Sequence, residues 1–246
     1  MRLLIINPNT TASMTRRIGL AAQAAASAGT FVTAVNPYMG PASIEGYYDE
    51  ALSVPGLLAE IAKGEAAGFD AKVDAYVIAC FDDTGLEAAR SLARAPVIGI
   101  GEAAFHVASL IAHRFSVVTT LSRSIAAIET NLMKYGLDRR CARVRATDIA
   151  VLELENPASD ARRRIELEIH KAKEEDRAEA IVLGCAGMAD FAAELTRTAG
   201  IPVIDGVAAA VRLAEAVVGL GLTTSKVGAY ASPLPKAYAP NQSKNL

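Results

Sequence analysis

The chain has 246 residues, 52% of them hydrophobic and 21% charged, with a formal net charge of −2. This excludes a disordered or low-complexity chain and allows a full core without disulfides or metals. The charge balance gives no electrostatic footprint for nucleic acid or an anionic membrane.

Short β-type runs alternate with longer helical patterns along the chain. Leu3 to Ile6 is expected to be a buried strand ended by Asn7-Pro8-Asn9-Thr10, followed by a helix from Thr11 to Ala28. Phe31 to Val35 reads as a strand, Pro37 to Gly46 as a loop, and the stretch from there to about Ala67 as a helix. Ala75 to Ala79 is a strand running into Cys80, and Thr84 with Glu87 has the spacing of a capping box for the next helix. Pro96 to Ile100 and Phe115 to Thr119 are strands, with a helix from Ser124 to Tyr135 and a strand from Ala142 to Ala146. Ser159 to Glu175 is a charged helix, Ala180 to Gly184 a strand running into Cys185, Ile201 to Ile204 a short strand and Val207 to Val218 a helix. From Ser232 a proline-containing polar tail reads as a surface arm. Buried strands between amphipathic helices indicate parallel sheets covered on both faces.

The pattern repeats. Tyr76-Val77-Ile78-Ala79-Cys80 matches Ile181-Val182-Leu183-Gly184-Cys185 at an offset of 105, and Pro96-Val97-Ile98-Gly99 matches Pro202-Val203-Ile204-Asp205 at 106. Arg2 to Thr10 matches Arg114 to Ser122 more loosely at 112. The expected fold class is therefore α/β, with two pseudo-symmetric lobes, each a mainly parallel sheet flanked by helices, and the site in the cleft between them. Residues 1–98 plus 208–246 would form the lobe carrying Cys80, and residues 99–207 the lobe carrying Cys185.

Both cysteines fall at C-terminal strand ends, where open parallel sheets bind ligands. A free cysteine is ordinarily a small buried apolar residue. A pair at equivalent positions, each expected before a helix N-terminus that would stabilise a thiolate, suits a different task. Two thiols across a cleft can remove a proton from one face of a carbon and deliver one to the other. Asn9, Thr119 and Thr120 are turn or cap residues that can equally hold a polar ligand at these strand ends. Cys141 lacks a repeat partner and reads as structural or incidental. His106, His113 and His170 are placed on helices in packing or solvated roles, since no carboxylate sits at metal spacing. Gly99-Ile100-Gly101 is not a dinucleotide fingerprint, because the third glycine and the ribose-binding acid are missing. The charge run from Glu166 to Glu179 reads as a solvated helix and its exit.

The segments around the two cysteines, Val77-Ile78-Ala79-Cys80-Phe81-Asp82-Asp83 and Ile181 to Met188, resemble the cysteine motifs of the aspartate/glutamate/hydantoin racemase superfamily. Ile6 to Thr10, Pro41 to Gly46, Phe115 to Thr120 and Pro202 to Gly206 resemble its hydantoin racemase branch. The resemblance covers almost the whole chain. It implies a cofactor-independent isomerase acting on 5-monosubstituted hydantoins by a two-base mechanism, with Cys80 and Cys185 as the catalytic pair and no metal site. Substrate contacts would fall on Asn9, Ser43, Ile44, Phe81, Thr119, Thr120, Ala186 and Gly187. Allantoin racemases are close relatives, so the ring substituent stays open. Decarboxylation or cis–trans isomerisation of a small diacid is the alternative reaction within the superfamily, and decarboxylation by a single protonating cysteine would leave one thiol without a purpose. A non-catalytic two-lobe binding protein would need neither. The N-terminal apolar run is too short for a signal peptide or membrane span. With three cysteines and no disulfide framework, the expected setting is the cytoplasm, and the expected assembly a homo-oligomer with no nucleic-acid or membrane partner.

Overall fold

Leu3, Ile5 and Ile6 are all buried, as are Ala75 to Ile78 and Ala180 to Leu183. Continuous burial without alternation is what a strand needs when helices cover both faces of its sheet. The computed structural model describes residues 1–66, 72–156 and 158–236. Its first sheet holds β1 (Arg2–Ile6), β2 (Phe31–Val35), β3 (Ala75–Ile78) and β4 (Val97–Gly99), in the order β2-β1-β3-β4 and parallel throughout. The second holds β5 (Phe115–Thr119), β6 (Cys141–Ala146), β7 (Ala180–Gly184) and β8 (Val203–Ile204), in the order β6-β5-β7-β8, again parallel. The same order appears twice, as the internal repeat requires.

The helices are α1 (Ala12–Ala25), α2 (Tyr47–Glu65), α3 (Leu86–Leu92), α4 (Ile100–Ile111), α5 (Ile125–Lys134), α6 (Ala161–Glu174), α7 (Ala192–Ala199) and α8 (Gly206–Gly219). The expected end of α2 at Ala67 lies outside the described residues. α7 was not expected from the sequence: it buries only Leu195 and so carries no apolar stripe. α4 follows the last strand of the first sheet and packs on β7 of the second, while α8 follows the last strand of the second and packs on β3 of the first. These two helices also pack on each other, so one hydrophobic core runs from Leu3 and Val77 through Phe105 and Val207 to Val117 and Val182. None of the described helices is long and apolar enough to cross a membrane.

Several local expectations are corrected. The capping box does not form: α3 begins at Leu86 behind a left-handed Gly85, and the Thr84 hydroxyl turns back to Cys80. Gly99 and Gly101 make room for the turn after Cys80, since a Cβ on Gly99 would lie 2.1 Å from Asp83 Oδ1 and one on Gly101 2.3 Å from the Phe81 carbonyl oxygen. His113 lies beyond the end of α4, and all three histidines are exposed. The charge run is not wholly solvated: at the exit of α6, Asp176 pairs with buried Arg145 at 2.7 Å and accepts from Ser116 Oγ at 3.0 Å. Within the expected tail, Ser232 is exposed, as are its neighbours to residue 236, and residues 237–246 lie outside the described part.

Candidate active site

Two strand ends from each sheet meet around one cavity. From the first lobe, Asn7 and Asn9 follow β1, and Cys80, Phe81 and Asp82 follow β3. From the second, Thr119 ends β5 with Thr120 following it, and Gly184 ends β7 with Cys185 and Ala186 following it. β1 and β5 hold corresponding sheet positions, as do β3 and β7, so the cavity has an approximate two-fold arrangement with one cysteine on each side. Gly184 is needed for the close fit, because a Cβ there would lie 2.7 Å from the Thr119 Cβ.

The asparagine turn is built by its own side chains. Asn9 Oδ1 accepts from the Thr11 N–H at 2.9 Å and from Asn7 Nδ2 at 2.8 Å, an Asx-type turn that ends β1 before α1 begins. Asn9 Nδ2 points toward Met14, whose sulfur lies 3.4 Å away, and both residues line the cavity. Thr119 Oγ1 donates to the Gly184 carbonyl at 2.9 Å, which commits its proton to holding β5 beside β7. Among the described residues nothing engages the Thr120 hydroxyl.

The loop over the cavity comes from the first lobe and is latched to the second. Ile44 and Val151 both line the cavity, and the Val151 N–H donates to Glu45 Oε1 at 3.0 Å. Of the residues the sequence pointed to, Asn9, Ile44, Cys80, Phe81, Thr119, Thr120, Cys185 and Ala186 line the cavity, whereas Ser43 and Gly187 stand off its wall. Phe81 lines it in part and also packs edge-on against Phe105 in the core, with ring centroids 5.3 Å apart. Met14, Asp82, Ser124 and Val151 also line the cavity and were not singled out from sequence. Asp82 had a signal, as the second residue past a strand-end cysteine. Val151 had none, since it arrives on a short 3-10 turn (Val151–Glu155) without periodicity.

The electrostatics overturn one expectation. No helix N-terminus follows Cys80 directly; a turn through Gly85 intervenes, and Cys185 is followed only by a 3-10 helix (Ala186–Phe191). Burial pushes both thiols up, and the nearby Asp82 carboxylate adds to the effect at each. Cys185 is pushed up to about 11. Against this, Cys80 accepts hydrogen bonds from the Thr84 hydroxyl and the Asp82 N–H, and Cys185 from the Gly187 N–H. Asp82 is itself pushed up to about 7 by burial and by Glu50, whose Oε1 is buried without a hydrogen-bond partner among the described residues. Burial and the acidic corner at Asp82 thus both disfavour the thiolate form of each cysteine. Cys141, at the start of β6, is pushed up to about 12 by burial and lies outside the cavity.

Comparison with known proteins identifies the family. The chain is 56% identical over 239 residues to a hydantoin racemase of Rhizobium meliloti, covering 97% of this chain and 98% of that protein. It is 49% identical to a hydantoin racemase of Pseudomonas sp. (strain NS671), covering 97% and 94%. The solved structure of an allantoin racemase from Klebsiella pneumoniae superposes with a TM-score of 0.94 at 48% identity, covering 98% of this chain and 97% of that one. The family model for Asp/Glu/Hydantoin racemases matches residues 3–214, and the chain belongs to that family.

Proposed function

We propose that this racemase interconverts the enantiomers of 5-monosubstituted hydantoins, with Cys80 and Cys185 as the two bases at C5. The observation that carries this is that the two cysteines follow corresponding strands of a repeated sheet and both line one cavity. The C5 hydrogen of a hydantoin lies beside a carbonyl, so its removal gives a delocalised enolate, and the chemistry needs no metal or organic cofactor. One cysteine must first lose its proton to solvent. That thiolate then takes the C5 proton while the opposite thiol protonates the other face, and the charge states of the pair are exchanged. The N–H groups of Phe81 and Ala186, at the start of each turn, are suited to bind the developing oxyanion. Asn9 Nδ2 and the Thr120 hydroxyl, both from residues that line the cavity, would orient the ring.

The acidic corner favours a second reading within the same chemistry. Asp82 lines the cavity with no side-chain partner among the described residues, and a ureido substituent would supply N–H donors to it. Allantoin, which is 5-ureidohydantoin, is therefore the natural comparison substrate. The three free cysteines support a cytoplasmic setting. Exposed Tyr38, Met39, Tyr47 and Tyr48 support self-association.

The test is polarimetry on an enantiopure 5-alkylhydantoin and on enantiopure allantoin, with and without prior dialysis against a chelator. Loss of rotation in either, unaffected by the chelator, supports the reading. Cys80→Ser and Cys185→Ser should each lose racemisation by orders of magnitude, since a serine hydroxyl is far too weak an acid to replace a thiol. Near-normal racemisation by either variant would exclude the paired-thiol scheme.

A further inference from the structure

Neither cysteine turn is held by its own lobe alone. α5 of the second lobe reaches the turn after Cys80: Asn131 Nδ2 donates to the Asp82 carbonyl oxygen at 2.8 Å, and Tyr135 Oη donates to Asp83 Oδ2 at 2.8 Å. The two residues are four apart, Asn131 in the last turn of α5 and Tyr135 capping its C-terminus. α1 of the first lobe reaches the segments beside Cys185. Arg17 grips Asp190, in the 3-10 helix after Cys185, through Nε at 3.1 Å and Nη2 at 2.9 Å. It also donates from Nη1 to the Leu154 carbonyl at 3.3 Å, while Ser13 Oγ donates to Glu155 Oε2 at 2.7 Å. Ser13 and Arg17 are again four apart. α1 follows β1 and α5 follows β5, so the two helices are counterparts in the repeat.

We infer that α1 and α5 are reciprocal clamps, each positioning the cysteine of the opposite lobe: Asn131 and Tyr135 position Cys80, and Ser13 and Arg17 position Cys185. The inference rests on the two-thiol reading. A base at a tetrahedral carbon must approach along a fixed line, and small misplacements are costly in rate. Each thiol must also keep its spacing from a partner carried on a separate sheet. A tether from the partner's own lobe sets that spacing directly. The Cys80 turn needs such a hold because Asp83 adopts φ 50°, a left-handed conformation unfavourable for a residue with a Cβ. Gly101 N–H and Glu102 N–H, at 3.0 and 2.7 Å, and Tyr135 together fix it there. Tyr135, Asn131, Ser13 and Arg17 do not line the cavity, so they act through the cysteines rather than on substrate.

The two clamps differ in character. Asp83 is buried, whereas the Arg17–Asp190 pair is exposed at 30% and 47% of the side-chain surface and is open to screening by salt. Salt sensitivity therefore belongs to the Cys185 half alone.

The experiment uses the full chain with Cys141→Ser as background and reads iodoacetamide labelling of Cys80 and Cys185 separately by peptide mass. Tyr135→Phe and, as a second variant, Asn131→Ser should speed labelling of Cys80 by about threefold or more, as expected for local loosening, and leave Cys185 unchanged. Arg17→Gln and Ser13→Ala should do the reverse, and high salt should mimic Arg17→Gln. On an enantiopure hydantoin, each clamp variant should lower kcat with KM unchanged. C5 deuterium exchange should become biased toward opposite enantiomers in the two sets. Equal response of both cysteines, or response of neither, in variants with wild-type circular dichroism would overturn the clamps. Absence of hydantoin turnover in the wild type would instead count against the functional reading, and the labelling pattern would still decide the clamps.

Discussion

Thr84 Oγ1 donates to Cys80 Sγ at 3.3 Å, and among the described residues no hydroxyl does the same for Cys185. The two thiols occupy matching strand ends, yet only one has a side chain poised to stabilise its anion. Thr84→Val keeps the shape and removes the donor. A hydrogen bond of about 1 kcal/mol corresponds to about fivefold less thiolate at a given pH. Cys80 should alkylate more slowly by that order while Cys185 keeps its rate, as peptide-resolved labelling would show.

Asp82 acts on both cysteines, since its charge raises each of them. Removing a negative charge near a thiol favours the thiolate, so its pKa falls. Asp82→Asn should therefore shift the pH profiles of alkylation at both Cys80 and Cys185 to lower pH. In the wild type, alkylation of Cys185 should keep rising with pH up to about 11 without an earlier plateau. A plateau near neutral pH would show that the thiolate is already formed in the free protein.

Gly101 packs its Cα side against the turn that follows Cys80, and a methyl group there would meet the Phe81 carbonyl oxygen at 2.3 Å. That neighbour is backbone and cannot swing aside. Gly101→Ala should cost about 1–3 kcal/mol of stability, the range for overpacking, and should displace the Cys80 turn. Thermal unfolding should show a lowered midpoint together with a lowered kcat. A loss of stability at full activity would separate the two roles.

Arg145 and Asp176 form a pair remote from the cavity, with side chains 7% and 5% exposed. Burial alone would raise Asp176, but the Arg145 guanidinium and the Ser116 hydroxyl more than offset this and hold its carboxyl below the ordinary value. Such a depressed carboxyl stabilises the fold above its unfolded pKa of about 4, and that contribution is lost as pH falls through the lower folded value. Arg145→Ala leaves Asp176 buried and unpaired and should cost about 3 kcal/mol at neutral pH, with the deficit shrinking on acidification. Denaturant unfolding at pH 7 and pH 3 would measure both.

The sequence by itself determined the strand set, the repeat of one α/β unit and the position of both cysteines at strand ends, while the order of the strands within each sheet came from the structure. Strands buried on both faces are written as continuous apolar runs, and a duplicated sheet writes the same landmarks twice at nearly one spacing. It also marked the Asn9 turn, because an asparagine after a strand carries its own hydrogen-bonding geometry. Other features came only with the tertiary structure. Thr84 and Glu87 have capping-box spacing, but the hydroxyl goes to Cys80, because a left-handed Gly85 delays the helix to Leu86. The thiols were expected to be lowered by helix ends and are raised instead, since burial and the Asp82 charge depend on neighbours that local sequence does not specify. Val151 and Met14 reach the cavity from a 3-10 turn and a helix face whose roles depend on how the lobes meet. The same holds for Tyr135 and Arg17: each looks like an ordinary surface-helix residue until the opposite lobe brings Asp83 or Asp190 within reach. Spacing along the chain encodes local geometry, whereas contacts across the cleft depend on the packing of α4 against α8, which sets the two sheets in place.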